Sequence, residues 1–475
     1  MIQITFTARK QTMGKTTIKK KHLIAFVLIV IPVFFKVLTI PFGDLDEIWV
    51  YNISRGISMG YVPYRDFHMV FMPLFSYLFA LPLMICRSLI IYRITSCIFF
   101  SVLLFVLFKN AYEESGFGFA LPIAAFSLFL IDVATYNYLM FLFALLVYQT
   151  NKREPGTRRN LLLGVFAALA ALSRQTSGGI LIVLELIYLI IERRTKRSNP
   201  LFYLAGISIP CFLFLVCLLA TGSFSSFWDD CLFALFGFSS GNSFFDIGSS
   251  GLLTVVLIGS VSDLYLIYKK AEYASNHLIV GVSALLIAVP MVDYLHVSMA
   301  AMFFLLPVMR VIKMFFKDHL KRYMSYIITS VILICIIALS VLNTAGTYTD
   351  SSIPELAGIP MNGTETGYKE IAVKNEQYRE NGKNVAVFSS SSAIISIMSG
   401  RFDPPYDLFL TGNLGTNDPL SYPCALHDDP DSIVVMPDNY TEENHENPKG
   451  IYEYITENFT PVDNYGNFIY YTPDN

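Results

Sequence analysis

The sequence predicts a mainly α-helical protein: a polytopic membrane helical bundle followed by a small extracytoplasmic α/β domain. Three observations favour this fold. Hydrophobic residues make up 54% of the 475 residues and charged residues only 15%, whereas soluble domains carry about 25% charged residues. Eleven apolar runs approach the length of about 20 residues that a spanning helix needs. From Asn343 onward the composition becomes polar, rich in Gly, Asn, Asp and Pro.

The chain begins with a basic segment, residues 1–21, which precedes an apolar run from Leu23 to Ile40. This charge order is that of a signal peptide, but the run is too long and no small-residue cleavage site follows it. We therefore expect an uncleaved first span with the N-terminus in the cytoplasm. The net charge of −3 gives no reason to expect nucleic-acid binding, and the seven cysteines form neither a CxxC motif nor a Cys/His cluster.

Basic loops set the number of spans, because an excess of Lys and Arg marks the cytoplasmic side. The predicted spans are residues 22–40, 89–108, 117–131, 136–149, 160–173, 176–192, 201–221, 251–268, 277–292, 297–314 and 323–342. Counting 69–86 as a twelfth span would put the basic loops outside, so this segment is predicted to be a juxtamembrane or half-inserted helix on the outer face. The prediction is a multi-pass plasma-membrane protein with its C-terminus outside.

This threading divides the chain into the cytoplasmic residues 1–21, a transmembrane domain at 22–342 and an extracytoplasmic domain at 343–475. The first external loop is 41–88. Every unusual polar group of the hydrophobic region then falls on the outer face, opposite the basic loops. These groups are Asp44, Asp46, Glu47, Asp132, Arg174, Gln175, Asp293 and His296. Independent solvated loops would not concentrate in this way, and ionisable groups at membrane depth are a functional-site hypothesis by default.

Asp46 and Glu47 are the central pair of the acidic cluster. Neighbouring residues on a helix diverge by about 100°, so these two carboxylates cannot face one point equally. One is expected to do chemistry while the other orients a partner or the backbone, and Asp44 is a third option. A carboxylate in a cavity can deprotonate an acceptor hydroxyl as that hydroxyl attacks a sugar carbon.

Arg174 and Gln175 interrupt two apolar helices at the outer face. A guanidinium at such a junction can hold a phosphate through a bidentate fork. The following Ser177-Gly178-Gly179 allows close backbone approach and opens the next helix. The alternative is an interfacial arginine that snorkels toward water.

Asp293 and His296 are three residues apart and share a helical face or a tight turn. His296 is expected to donate to a phosphate or an acceptor, with Asp293 fixing its tautomer, although a structural histidine is the alternative. The spacing is compatible with a divalent metal, but the sequence offers no third ligand. We therefore predict no metal and no cofactor.

A second group follows the turn at Val62-Pro63 in the first external loop. Its members either line the cavity or are loop groups paired with each other. They are Tyr64, Arg65, Asp66 and His68.

These residues carry a resemblance to a known family. The stretch from Asp46-Glu47 through Gly60-Tyr61-Val62-Pro63-Tyr64-Arg65-Asp66-Phe67, then Pro73-Leu74, resembles the first external loop of the GT-C glycosyltransferases. Within them, it is similar to the protein O-mannosyltransferase and aminoarabinose transferase group. Ser173-Arg174-Gln175-Thr176-Ser177-Gly178 matches the place where that group has a basic residue before a glycine. Asp293-Tyr294-Leu295-His296 resembles a later motif, and the likeness runs from about residue 22 to 316.

The resemblance implies an inverting transfer of one sugar from a polyprenyl-phosphate-linked donor to an acceptor on the outer face. The acceptor would be a glycan, a lipid or a protein, and membrane lipids would surround the site. In the family the Asp of the Asp-Glu pair serves as base, which corresponds to Asp46, and the basic residue binds the donor phosphate, which corresponds to Arg174. The extra acid Asp44 departs from the pattern and keeps the choice of base open.

Two other functions compete with transfer. A transporter or flippase of a lipid-linked or anionic substrate would use the same outer-face charges, but it should show internal repeats and interrupted helices near the bilayer midplane. No such pairing is seen in the sequence. A non-enzymatic membrane scaffold, with an external domain that binds a partner, leaves the one-sided clustering of charges unexplained.

The external domain is predicted to be a small α/β unit. Its predicted strands are Asn384–Phe388, Asp431–Pro437 and Asn467–Thr472, with a helix at Ser392–Met398. The order strand–helix–strand favours a sheet that is parallel in part.

Overall fold

The computed structural model describes residues 2–43, 45–193, 199–234, 244–289, 291–315, 318–345, 353–361, 365–406, 409–410, 413–414, 419–441 and 447–474. Eleven helices lie where the sequence predicts spans. They are α1 Ile2–Leu38, α4 Leu89–Ser115, α5 Phe117–Leu130, α6 Tyr136–Asn151, α7 Thr157–Ser173, α8 Gln175–Arg193, α9 Pro200–Thr221, α11 Ser250–Tyr268, α12 Ala274–Leu285, α13 Tyr294–Phe315 and α14 Asp318–Ala345. The predicted polytopic helical fold is confirmed.

Local sequence explains how these helices begin and end. Before α9, the Asn199 side chain accepts a hydrogen bond from the Leu201 N–H at 3.1 Å, and Pro200 occupies the first turn, where no N–H is needed. The helix ends at Gly222, whose φ of 72° is the left-handed conformation that glycine adopts without strain. At α4, Ser88 caps the helix by accepting from the Ile90 N–H.

Six of the described helices are long and apolar enough to cross a membrane. They begin at Lys20 within α1 and at the first residues of α4, α8, α9, α11 and α13. Large apolar side chains on these helices are exposed, as on Leu213 and Leu257, because lipid rather than protein covers them. The protein is therefore a membrane protein, and the orientation of its termini stays a prediction.

Small residues allow α7, α8 and α9 to pack closely. A Cβ on Gly164 of α7 would lie 2.1 Å from the Tyr203 carbonyl oxygen of α9, and one on Gly178 of α8 would lie 2.4 Å from Ala171. Any side chain at either glycine would push these helices apart. Gly178, which the sequence suggested for close approach to a ligand, thus serves helix packing at the C-terminal end of α7.

The first external loop contains two short helices, α2 (Leu45–Ser58) and α3 (Leu74–Leu83). With ten residues, α3 is about 15 Å long and too short to span a bilayer. It begins one residue after Pro73 and packs against α2 and α4. This agrees with a juxtamembrane helix in place of a twelfth span.

Shorter elements complete the loop between α9 and α11. A single helical turn, α10 (Phe224–Phe227), runs into a π-helical turn at Trp228–Phe233. Further on, β1 (Phe244–Phe245) pairs in parallel with β2 (Met291–Val292). This two-stranded ladder places the end of the 222–250 loop directly beside Asp293.

The C-terminal sheet has four strands in the order β3-β4-β6-β5. Its strands are β3 Asn384–Val387, β4 Ser432–Pro437, β5 Phe459–Tyr465 and β6 Phe468–Pro473, and its helices are α15 Glu365–Glu380, α16 Ser392–Met398, α17 Ser421–His427 and α18 Ile451–Asn458. β3 and β4 are parallel, as the strand–helix–strand order predicts, and β4, β6 and β5 pair antiparallel. Sequence analysis missed β5, which forms a hairpin with β6 through the left-handed Gly466.

Arg55 fastens this domain to α2. Its guanidinium is fully buried and donates to the Asn52 side chain at 2.9 Å within the same helix. It also donates to the carbonyl oxygens of Ser396 at 3.2 Å and Arg401 at 2.7 Å, and it pairs with Glu355 at 3.2 Å. One side chain therefore joins the first external loop to three residues of the C-terminal part of the chain.

Candidate functional site

Glu47 lies in the first turn of α2 and forms a buried ion pair with Arg93 of α4. The two carboxylate oxygens accept from Nε at 2.9 Å and from Nη2 at 2.6 Å, in a bidentate arrangement. Nη1 of Arg93 also donates to the carbonyl oxygen of Ile40. Glu47 is only 3% exposed, so its carboxylate is fully engaged and fixes the start of α2 against α4.

Asp46 precedes Glu47 and is half-buried. Its carboxylate interacts electrostatically with Tyr136 at the start of α6, and the same tyrosine interacts with Arg174 and Asp293. Tyr136 therefore lies among three of the charged residues that the sequence selects, which are separated by 128 and 119 positions in the chain. Charges from the first loop, from the α7–α8 junction and from the start of α13 converge at one place.

Aromatic side chains of the first external loop pack against Tyr136 at this charged cluster. Phe71 stacks on Tyr136 with ring centroids 4.3 Å apart and planes 13° from parallel. Trp49 of α2 meets the edge of Phe71 at 5.3 Å. The order Trp49–Phe71–Tyr136 links α2 to α6 through one edge-to-face pair and one stacked pair. Each such aromatic pair contributes about 0.5–1.5 kcal/mol beyond burial.

Arg174 occupies the junction between α7 and α8 and is 8% exposed, so it does not snorkel to water. Its Nη1 donates to the Asn137 side chain, its Nη2 donates to the Val289 carbonyl oxygen at 3.2 Å, and its Nε lies 3.5 Å from Thr176 Oγ1. A guanidinium carries five N–H donors. Within the described part of the chain these contacts use three of them, and two donors remain for an anion.

Gln175 ties two outer segments to the same junction. Its Nε2 donates to the Val70 carbonyl oxygen at 3.0 Å and to the Cys231 carbonyl oxygen at 3.1 Å. The side chain thus holds the first external loop and the π-helical turn together next to Arg174. In the structure its amide is a support for the loops around the charged cluster.

Asp293 and His296 form a cap at the start of α13. The Asp293 carboxylate accepts from the His296 backbone N–H at 2.8 Å, and it lies 2.7 and 2.8 Å from His296 Nδ1. Burial acts to raise the pKa of Asp293, but the hydrogen bonds from His296 outweigh it and the pKa lies below its usual value. With Nδ1–H donating to Asp293, Nε2 of the neutral ring is left as an acceptor. His296 also interacts electrostatically with Arg174.

Tyr64, Arg65 and Asp66 make their contacts within the first loop. The Tyr64 hydroxyl donates to the Phe71 carbonyl oxygen at 2.8 Å. Arg65 is about half exposed and forms a bidentate pair with Asp66, at 2.7 and 2.8 Å. Asp66 also accepts from the Val62 N–H, and the hydrogen bond from Arg65 lowers the pKa of its carboxyl. This is the arrangement that the sequence offered as loop groups paired with each other.

His68 lies where three parts of the chain meet. Its Nδ1 is 2.8 Å from the Asp230 carboxylate of the π-helical turn. Its ring stacks on Tyr406 of the C-terminal domain with centroids 4.8 Å apart, and its backbone N–H donates to the Pro405 carbonyl oxygen. In this structure His68 holds the first loop against the C-terminal domain.

Asp132 lies after the end of α5 and is partly exposed. It interacts electrostatically with Lys36 of α1, whose Nζ donates to the last carbonyl oxygens of α5, and with Tyr294 of α13. Asp132 therefore acts electrostatically on Tyr294, the residue that follows Asp293 at the start of α13. Asp44 lies outside the described residues.

Sequence reasoning missed Arg93, Asn137 and Tyr136. Arg93 is the fifth residue of an apolar run, and a charge at that depth is itself a signal that a buried partner exists. Tyr136 and Asn137 begin a predicted span shortly after Asp132. A polar residue such as Asn137 is ordinary at a helix start, so the sequence carries no sign of its buried contact. Among the described residues, no group of three or more His, Cys, Asp or Glu side chains is arranged to hold a metal ion.

Comparison with known proteins shows the fold. The structure is similar to that of ArnT from Cupriavidus metallidurans in the apo state, with a TM-score of 0.59 and 10% identity over 94% of this chain and 97% of that one. ArnT from the same organism bound to undecaprenyl phosphate aligns with a TM-score of 0.56 and 11% identity over the same shares. No family profile matches the sequence, and no curated protein matches it. The chain therefore has the fold of ArnT, as the resemblance found in the sequence predicts.

Proposed function

We propose that this protein is a membrane glycosyltransferase that takes a sugar from a polyprenyl-phosphate donor and transfers it to an acceptor at the outer face of the membrane. The observation that carries the proposal is the convergence of Asp46, Arg174 and Asp293 on Tyr136. Such a transfer needs groups of three kinds, and all three are present here. They are a partly exposed carboxylate, a guanidinium with two available N–H donors, and a histidine that is hydrogen-bonded to a neighbouring carboxylate. ArnT, which has the same fold, was solved with undecaprenyl phosphate bound.

In the proposed reaction Asp46 is the general base. It accepts the proton of the acceptor hydroxyl, and the resulting oxygen attacks the anomeric carbon of the sugar. The bond between that carbon and the phosphate oxygen breaks on the opposite face, which inverts the configuration. The polyprenyl phosphate leaves as an anion, and Arg174 stabilises the charge through its free N–H donors.

Glu47 is adjacent to Asp46 but is assigned a positioning role. Its carboxylate is already occupied by both N–H groups of the Arg93 fork, so accepting a proton would break a buried ion pair. His296 is proposed to accept a hydrogen bond from the acceptor or the sugar at Nε2. Glu47 is set aside as base because Arg93 binds its carboxylate through two N–H groups. Asp46 is therefore the proposed base, with Asp44 as the alternative.

The test uses the purified protein in lipid nanodiscs with undecaprenyl-phosphate-linked sugars. Release of undecaprenyl phosphate in the presence of acceptor extract is followed by mass spectrometry. Asp46→Asn should lower the rate by about 10²–10⁴-fold, the usual contribution of a general base. Arg174→Ala should weaken binding of undecaprenyl phosphate, measured by native mass spectrometry. Asp229→Asn, an exposed carboxylate on another outer loop, is the matched control.

The proposal fails if Asp46→Asn transfers at the parent rate. It also fails if the donor lipid crosses the bilayer without losing its sugar, since that outcome identifies a transporter. A purely catalytic defect of Arg174→Ala at saturating donor, with binding unchanged, would remove the phosphate role from Arg174.

A further inference from the structure

A cleft of about 660 Å³ lies in the C-terminal domain, away from the charged cluster of the membrane domain. It is bounded by the residues that follow β3 and β4, which are parallel neighbours. In open α/β sheets, ligands bind in the crevice outside the carboxyl ends of parallel strands. The volume falls within the range of about 300–1,000 Å³ that holds small ligands.

The described part of the lining is polar and carries little charge. Fifteen described residues line the cleft, and Glu370 is the one charged residue among these fifteen. Hydroxyl and amide side chains come from both sides of the cleft: Ser389, Ser390 and Ser391 follow β3, Asn439 and Thr441 follow β4, and Asn467 lies in the β5–β6 turn. None of these fifteen described residues is Lys or Arg, and such a lining is poorly suited to a phosphate or a carboxylate, which needs positive partners.

Internal contacts fix one wall of the cleft. Ser391 Oγ donates to the Tyr368 hydroxyl at 3.2 Å, and the Ser391 backbone N–H donates to Ser389 Oγ at 3.0 Å. The Tyr368 ring is thereby held in position on α15. Phe468 contributes a second, buried aromatic ring.

Other polar side chains of the cleft are available. Ser390, Asn439 and Asn467 line it, and no described residue accepts from or donates to their side chains. The backbone carbonyl oxygen of Asn467 accepts a hydrogen bond from the Asp438 N–H at 2.9 Å, which leaves the side-chain amide for a ligand. Each amide side chain offers a carbonyl acceptor and two N–H donors, which suits a ligand whose own groups both donate and accept.

We propose that this cleft binds a neutral saccharide. Sugar hydroxyls both donate and accept, so they match serine and asparagine side chains, while the apolar C–H face of a sugar ring packs on an aromatic ring such as Tyr368. An apolar ligand would leave the amides unpaired, and an anion would find no Lys or Arg among the described lining residues. The cleft shares no residue with the cluster around Tyr136, so this inference is independent of the proposed transfer.

The experiment uses the full-length protein in lipid nanodiscs and saturation-transfer-difference NMR. The probes are maltotriose, mannotriose and chitotriose, with inorganic phosphate and tetra-alanine as competitors of other chemistry. At least one of the three sugars should bind. The double variant Asn439→Ala, Asn467→Ala should weaken that binding about 30-fold, since it removes one hydrogen bond of about 1 kcal/mol at each of two positions.

The matched control is Asn381→Ala, an exposed asparagine before the start of β3, at the opposite end of the strand from the cleft. Both exchanged asparagines of the cleft are exposed, so the thermal midpoint of the double variant should equal that of the parent. The inference is overturned if none of the three sugars binds, or if a bound sugar is displaced by phosphate or tetra-alanine. It is also overturned if the double variant binds a sugar as tightly as the Asn381→Ala control.

Discussion

Replacing Glu47 by glutamine separates the positioning role of this residue from the chemistry proposed for its neighbour Asp46. The exchange keeps the shape of the side chain but leaves the Arg93 guanidinium buried without a counter-charge, at 0% exposure. Removing one partner of a buried ion pair destabilises a protein by about 3–5 kcal/mol. Because the pair is bidentate, with N···O distances of 2.9 and 2.6 Å, we expect this full loss of stability for Glu47→Gln.

The expected shift in the thermal midpoint follows from the size of the chain. At about 2.1 cal/mol/K per residue, unfolding of 475 residues has an entropy of about 1 kcal/mol/K. The Glu47→Gln variant should therefore unfold about 3–5 °C below the parent. Tryptophan fluorescence in detergent reports the transition, because Trp49 lies two residues from Glu47 on α2 and packs on Phe71.

The control is Glu113→Gln on α4. The Glu113 side chain is 40% exposed and lies 3.8 Å from Lys152, so its loss should leave the midpoint unchanged within about 1 °C. The double variant Glu47→Gln, Arg93→Gln should recover part of the lost stability, since it removes the unpaired charge. A Glu47→Gln protein with the parent midpoint and no transfer activity would refute the reasoning, because Glu47 would then act in the chemistry.

Two further predictions concern the outer side of the molecule. Arg55→Ala should release the C-terminal domain from α2 and expose the segment near Ser396 to limited proteolysis, because four contacts of a fully buried guanidinium are lost; Arg65→Ala should leave the cleavage pattern unchanged. The pKa of Asp293 is lowered by its bonds to His296, so the carboxylate stabilises the fold above its unfolded pKa of about 3.9. This stability is lost as the pH falls through the lower, folded pKa, so the midpoint difference between the parent and Asp293→Asn should be present at pH 7 and shrink below about pH 4; an equal difference at pH 3 would contradict it.

Much of the helical architecture follows from apolar runs alone, because a run of suitable length has few other ways to satisfy its backbone in lipid. The ends of the helices follow less well. The sequence predicts one span at 277–292, but α12 ends at Leu285, a short 3₁₀ turn reaches Ala288, and Met291–Val292 forms β2. The residue that could have predicted this early end of the helix is Pro290, which cannot donate a backbone hydrogen bond within a helix.

The sequence selects candidate site residues, but it does not reveal which side chains they contact. Asp46, Arg174 and Asp293 are candidates because the sequence predicts them on the same face of the membrane. In the structure all three interact with Tyr136. Spacing rules cannot predict an ion pair such as Glu47–Arg93, whose members are 46 positions apart and meet only because the fold brings the starts of α2 and α4 together. Pairing between distant residues is set by tertiary packing, which a single sequence does not encode as a local pattern.

The geometry of α2 links the C-terminal domain to the proposed base. This helix has 14 residues and is about 21 Å long. Its first turn is held by Glu47 against Arg93, and its last turn is held by Arg55 against Ser396 and Arg401. Asp46 lies beside the first anchor, so both ends of the helix restrict where its carboxylate lies. A base must stay within hydrogen-bond reach of the proton that it accepts, and the C-terminal domain therefore contributes to the position of Asp46 although its Arg55 contacts lie at the far end of the helix.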